Sequence, residues 1–238
     1  MRVLRVVVFV AVVLGGLFVA ADRFAAGYAE DRLADRIRAR QGLAGTAEAE
    51  IHGFPFLTQA LSHELNRVDV RVTGVDAVAD GRKTRLSELA ATFRGVKLDA
   101  DYGGGTAKSA EGSALITYPD LTQASQSGVK LAYGGERDKV KVTASVELLG
   151  RTFTRSVVSS VSLVDAGGDG GGKLVRVRAD EVPGEGIPGI EGAVRRKTDF
   201  DRRLDGGLPS GLRLTGLTSD EAGVRLELGG TDVSLAGS

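Results

Sequence analysis

The 238-residue chain holds two histidines, His52 and His63, and no cysteine. Each histidine has a carboxylate close by in sequence, Glu50 or Glu64, and imidazole with carboxylate suits a divalent metal. The spacing matches no zinc pattern, so no metal site is assigned. Without cysteine there is no thiol nucleophile, thiolate metal centre, disulfide or lipid-modified cysteine. A G-x-S-x-G elbow for a hydrolase serine is also missing. The run from Gly167 to Lys173 approaches a phosphate-binding loop. However, Leu174 stands where Ser or Thr must hold magnesium, and a strand pattern follows where a helix is needed. Asp99 and Asp101 share a face in an extended segment, which they most simply solvate. Asp199 and Asp201 fall in a helical pattern, where their spacing splays the carboxylates apart. An acid–base enzyme would need a paired site from groups such as Asp99, Asp101 or Glu111, and the alternating pattern suggests none. No catalytic residue and no cofactor is assigned.

Two apolar features remain as binding candidates. Ile51-His52-Gly53-Phe54-Pro55-Phe56-Leu57 sets two phenylalanines about a proline that fixes φ, after a glycine that permits a sharp bend. This is a chain reversal carrying large apolar side chains, either a core corner or a ligand wall. Later, Ile190, Ala193, Val194, Phe200 and Leu204 fall on one arc at helical spacing, with Lys197 near its middle. Lys197 either snorkels along that surface or meets an anion such as a lipid phosphate, with Arg195 and Arg196 nearby. Lys plus Arg and Asp plus Glu each number 31, and a neutral chain argues against a nucleic-acid partner.

The elements that would position these residues begin at the N-terminus. Arg2 and Arg5 precede an uncharged run from Val6 to Ala21, a basic region followed by an apolar one. Residues 1–21 therefore read as a signal peptide or a membrane anchor. The anchor is preferred because helical register continues through Ala21, and the basic residues hold that end in the cytoplasm. Residues 22–41 form an amphipathic helix, with Ala25, Ala29, Leu33 and Ile37 on one face and Phe24 and Tyr28 beside them. From 45 to 182 the period changes to two. Val68, Val70 and Val72 alternate with charged residues, as do Val140, Val142, Ala144 and Val146, and Val175 and Val177. Turns at Gly134-Gly135, at Leu149-Gly150 and over Gly167–Gly172 make neighbouring strands antiparallel. A short helical turn is expected near Pro119–Gln126, a helix over 188–204 and strands over 208–235. The fold class is α+β: a strongly curved antiparallel sheet about one or two amphipathic helices, with an N-terminal hydrophobic helix. Two or three helices cannot cover some nine strands, so the sheet must curl on itself or line an apolar cavity.

These features together resemble a known family. The N-terminal apolar segment runs into ADRFAAGYAEDRLADRI, followed by GFPFLTQ at Gly53–Gln59, VDVRVTGV, and the ending LPSGLRLTGLTSDEAGVRLELGGTDVSL from Leu208 to Leu235. This set is similar to the LmeA family of phospholipid-binding envelope proteins of high-GC Gram-positive bacteria. The resemblance implies a non-catalytic extracytoplasmic domain, residues 22–238, that holds phospholipid in an apolar cavity. Its bent sheet would wrap a helix as in the tubular lipid-binding domains. Some members support maturation of cell-wall mannolipids, which makes glycolipid assembly an implied role. The residues expected to line the lipid are Phe54, Pro55, Phe56, Leu57, Phe93, Ile190, Val194, Lys197 and Phe200. Competing readings are an envelope enzyme acting on glycolipid through carboxylates, and a structural β module with a filled core.

Overall fold

A computed structural model describes residues 2–41, 45–79, 82–125, 129–148, 151–165, 173–180, 199–203 and 208–235. The chain opens with one 40-residue helix, α1 (Arg2–Gln41), which at 1.5 Å per residue is about 60 Å long. Its two halves differ. Residues 7–21 are exposed throughout, with no surface of the described residues against them. Below Ala21 the helix docks, and Asp22, Ala26 and Ala34 are buried while Ala25, Ala29, Leu33 and Ile37 are partly covered. Phe24 and Tyr28, expected beside this packed face, point away from it instead, at 80% and 55% exposed.

The strands divide into two antiparallel sheets. The first has six: β1 (Ala47–His52), β2 (Glu64–Ala79), β3 (Arg82–Leu98), β4 (Gly105–Ile116), β10 (Leu212–Asp220) and β11 (Gly223–Ser234). They lie in the order β1-β2-β3-β4-β11-β10. The second has five in sequence order: β5 (Val129–Tyr133), β6 (Lys139–Leu148), β7 (Arg151–Asp165), β8 (Lys173–Ala179) and β9 (Phe200–Arg203). Neither sheet closes into a barrel. Two short helices, α2 (Phe56–Leu61) and α3 (Tyr118–Ala124), complete the described elements.

The β2–β3 hairpin is long and bent, and glycine explains the bends. Val72 and Val75 are both buried although they are three apart, and so lie out of strict alternation. Gly74 between them has φ of +65°, a left-handed conformation that side chains resist. On β3, Gly95 (φ +59°) separates Phe93 and Val96, which join the same apolar cluster. Each glycine therefore re-aims the strand and keeps apolar side chains turned inward around a curve.

One face of the six-stranded sheet carries two covers. At one end lie the lower half of α1 and α2, around Ala26, Phe56, Leu65, Val68, Val96, Ala107, Ala110 and Val233. At the other lie the five-stranded sheet and α3, with Ala114, Ile116, Leu214, Val224 and Leu226 facing Val140, Val142, Val161, Val175 and Val177. Each fully buried valine, leucine, isoleucine or phenylalanine among these contributes about 1.5–3 kcal/mol. Polar contacts seal the margins. The β1 edge is covered by α1: Glu30 accepts the Ile51 N–H at 2.7 Å, and Arg38 donates to the Ala47 carbonyl at 2.7 Å. The Thr122 hydroxyl of α3 accepts the Leu131 N–H at 2.9 Å on the β5 edge. The sheets meet at a corner where the Asp138 N–H donates to the Ser219 carbonyl at 3.2 Å.

The expected short helix near Pro119 is α3, with Pro in its first turn and Thr117 as its N-cap. The expected helix over 188–204 is corrected at its end. Residues 188–198 lie outside the described residues, but Phe200–Arg203 is strand β9, paired antiparallel with β8. Opposite charges hold it there. Asp201 faces Arg176 at 3.0 Å and Arg178 at 2.8 Å, and Asp199 accepts the Ala179 N–H at 2.9 Å. The acidic pair Asp199 and Asp201 therefore belongs to a strand margin, and helical spacing does not apply.

Candidate functional site

The outward, polar face of the six-stranded sheet holds most of the residues that look chemically active. His52 and His63 do not meet. His63 stacks on Tyr102 at 4.5 Å between ring centres, while His52 joins Glu50 and Asp69, with ligand atoms all within 4.8 Å. This trio has the composition of a cation site, but Asp69 is already saturated. Its Oδ1 accepts from Arg67 Nε at 2.9 Å and Thr92 Oγ1 at 2.8 Å, and its Oδ2 from Arg67 Nη2 at 2.5 Å. His52 Nε2 lies 2.8 Å from the same Oδ2. The Arg67 guanidinium holds the Asp69 carboxyl down at about 2, against its partial burial, with Thr92 and His52 assisting. Both oxygens of Asp69 are thus already engaged, by a guanidinium, a hydroxyl and the imidazole, which disfavours a metal at this trio.

Two other carboxylates on this side are held in ion pairs with arginine. Glu111 pairs with Arg94 at 3.0 Å and Glu88 with Arg71 at 3.2 Å. Asp99 and Asp101 lie in the turn after β3, where Asp101 accepts the Gly103 N–H at 2.9 Å. A shallow groove of about 620 Å³ crosses this face between Glu48, Glu50, Arg67, Asp69, Arg71 and Glu111. Charge rims it, and Val70, Ala90, Ala91 and Gly112 line it between the charged residues.

The opposite face is different in kind. Its cross-strand register places Ala49, Val70, Ala91, Gly112, Leu228 and Leu214 in one row from β1 to β10. The rows on either side contain buried residues of the two covers: Val68 and Ala110 toward α1, Ala114 and Leu226 toward the second sheet, with Val72 in a small cluster beside Ile37 of α1. Between them Val70, Ala91, Gly112 and Leu228 each keep part of their surface exposed. Three of the first four residues of this row are Ala or Gly, so small side chains form its floor. Gly112 has no choice: a Cβ there would lie 2.8 Å from the Ala90 carbonyl oxygen. What results is an apolar trough between two covers, with Leu89 and Phe93 on its flanks.

At the α1 end of the trough lies the Gly53–Leu57 corner. Gly53 takes φ of +116° to turn the chain out of β1. Pro55 occupies the N-cap position of α2 and offers no side-chain acceptor; the cap comes from another element. Asp22 of α1, wholly buried, accepts the Leu57 N–H at 2.8 Å. Gln59 ties the corner down by accepting the Asn66 N–H at 2.8 Å. The corner divides its phenylalanines: Phe56 is in the core, while Phe54 is 54% exposed, with the Arg23 guanidinium 5.3 Å from its ring centre.

Of the residues expected to line a ligand, Phe56, Leu57 and Phe93 come together in the α1-side cluster. Pro55 is half-buried beside them and Phe54 faces outward. Ile190, Val194 and Lys197 lie outside the described residues, and Phe200 sits on β9 opposite Val177. Sequence reading missed the trough row and Asp22. Ala91 and Gly112 carry no signal of their own, because a small residue shows its purpose only once register sets it beside others. Asp22 was visible as the first charge after the apolar run, but not as a cap for a helix 35 residues away.

Neither the curated proteins nor the solved structures include a match to this chain. The family model described as LmeA-like phospholipid-binding, however, matches residues 20–229, from the docked half of α1 to β11. With that match spanning nearly all of the folded part, the chain belongs to the LmeA-like phospholipid-binding family.

Proposed function

We propose that this is an extracytoplasmic protein of the cell envelope that holds a phospholipid by its acyl chains in an apolar cavity formed over the trough. In this reading residues 7–21 cross the cytoplasmic membrane and remain as an anchor, with Arg2 and Arg5 on the inner side. The observation that carries it is the contrast within α1. One continuous helix is apolar and bare over its first half, and over its second half it covers the apolar face on which the trough opens. The helix is long and apolar enough to cross a membrane. A lipid-holding domain tethered this way stays near the leaflet that supplies its ligand. The family's ligand class and the committed carboxylates favour binding over catalysis, and support of envelope glycolipid assembly is the role that suits such a holder.

Two measurements test this. Lipid extracted from the purified full chain after exhaustive detergent washing should contain near-stoichiometric phospholipid by mass spectrometry; an empty chain would contradict the reading. Since the chain has no cysteine, Ser210→Cys adds a single thiol on an exposed turn. A membrane-impermeant maleimide should label it in intact cells, and labelling only after lysis would place the domain on the wrong side.

A further inference from the structure

We infer that the Gly53–Leu57 corner, with Arg23 and Phe24 of α1, is a membrane-docking surface that sits in the headgroup layer and sets the trough entrance against the lipid. This rests on the reading of residues 7–21 as a membrane span.

The argument is one of level. Counted from Arg5 at the inner boundary, a hydrocarbon core of about 30 Å takes about 20 helical residues and ends near Ala25. The boundary with the headgroups then falls within one turn of Asp22. The fold brings other chain to this level. The corner is bound to it by the Asp22–Leu57 hydrogen bond and by the approach of Arg23 to Phe54. α1 rises away from this point, and β1 runs back down alongside it, from Ala47 at Arg38 to Ile51 at Glu30. The reversal at Gly53–Phe54 is therefore the part of the sheet domain nearest the bare half of the helix.

Among the described residues of the folded domain, most exposed large apolar side chains gather on α1 and around this corner, with Tyr102 and Val158 outside these elements. Phe24 is 80% exposed and Phe54 54%, with Tyr28 one turn above Phe24 and Leu61 at the end of α2. In water such a grouping is unfavourable, whereas at a bilayer surface Phe and Leu bury at the headgroup–acyl boundary with Tyr at headgroup level. Arg23 completes the match. Its guanidinium lies over Phe54, its side chain is 55% exposed, and the nearby carboxylate of Asp22 is wholly buried. It is thus placed to meet lipid phosphate. On the inward side of the corner Phe56 and Leu57 join the cluster that flanks the trough, so one turn of chain touches both the membrane and the lipid site.

The chain has no tryptophan, so a single substitution gives a local reporter. Full-length Phe54→Trp and Phe24→Trp, each at an exposed site, are reconstituted in phosphatidylcholine vesicles brominated near the glycerol or near the methyl end. Both should show blue-shifted emission, quenched more by the shallow bromines than by the deep ones. Val158→Trp, on the outer face of the five-stranded sheet, should emit as in water and remain unquenched. Unquenched, water-like emission from Phe54→Trp and Phe24→Trp, in protein that resists alkaline carbonate extraction, would overturn the docking surface and leave the anchor standing. Removal of the chain by carbonate would overturn both. Docking with no co-purified phospholipid would uphold the surface and sink the proposed lipid-holding function.

Discussion

The two faces of the six-stranded sheet are built from the same strands, yet they solve opposite problems. On the polar face every oxygen of Asp69 is occupied, by Arg67, Thr92 and His52, and Glu88 and Glu111 are paired with arginines. On the apolar face the middle row keeps partly exposed alanine, glycine and valine between two packed covers. The residues with recognisable chemistry are thus consumed by structure, and the face without functional groups retains unfilled binding capacity. For a ligand that is mostly hydrocarbon this is the expected division, because burial of apolar area and not hydrogen bonding supplies the affinity.

The contrast can be broken most forcibly from the apolar side. Phe56→Ala removes the buried phenylalanine of the α1-side cluster and should cost about 3–5 kcal/mol of stability in denaturant melts. A loss below 1 kcal/mol would mean that α2 and α1 are not part of the cooperative fold. Next, Ala91→Phe fills the trough at its middle. It should lower retained phospholipid by about tenfold, equivalent to about 1.4 kcal/mol, while the thermal midpoint changes little.

The polar face should respond to acid and not to lipid. Asp69 titrates near 2 in the folded protein and near 3.9 when unfolded, so its contribution is complete above that higher value. It is lost as pH falls toward 2, because the unfolded chain then binds the proton more readily. The side chain is 25% exposed, and with solvent screening the contribution is on the order of 1 kcal/mol. Asp69→Asn should flatten the acid limb of stability against pH and leave lipid content unchanged. A fall in bound lipid would show that the two faces are coupled. The smallest effect is expected at Phe54→Ala, within about 0.5 kcal/mol of wild-type stability in detergent, since this ring is outside the core. A larger loss would move Phe54 from the membrane surface into the fold.

Much of this architecture was legible in residue order. The charge-free run after Arg5 announced the bare half of α1, and alternation at Val140, Val142, Val175 and Val177 announced strands whose apolar sides form a core. The α3 turn was readable from Pro119, which sits in its first turn. What escaped was long-range. The division into two sheets depends on which strands pair, and β11 pairs with β4 over a hundred residues away. Residues 200–203 followed an apolar helical period, but the Arg176 and Arg178 charges on β8 hold Asp201 in a strand. The trough is legible only in register: Ala91 and Gly112 are ordinary residues until Val70 and Leu228 are set beside them.

The central claim is that phospholipid lies on the apolar face and not in the charged groove. It is tested most directly by native mass spectrometry of the full chain released from detergent, comparing wild type, Ala91→Phe and Asp69→Asn. The account predicts a phospholipid-mass adduct on wild type and Asp69→Asn, much reduced on Ala91→Phe. An equal adduct on all three, or its loss from Asp69→Asn alone, would contradict it.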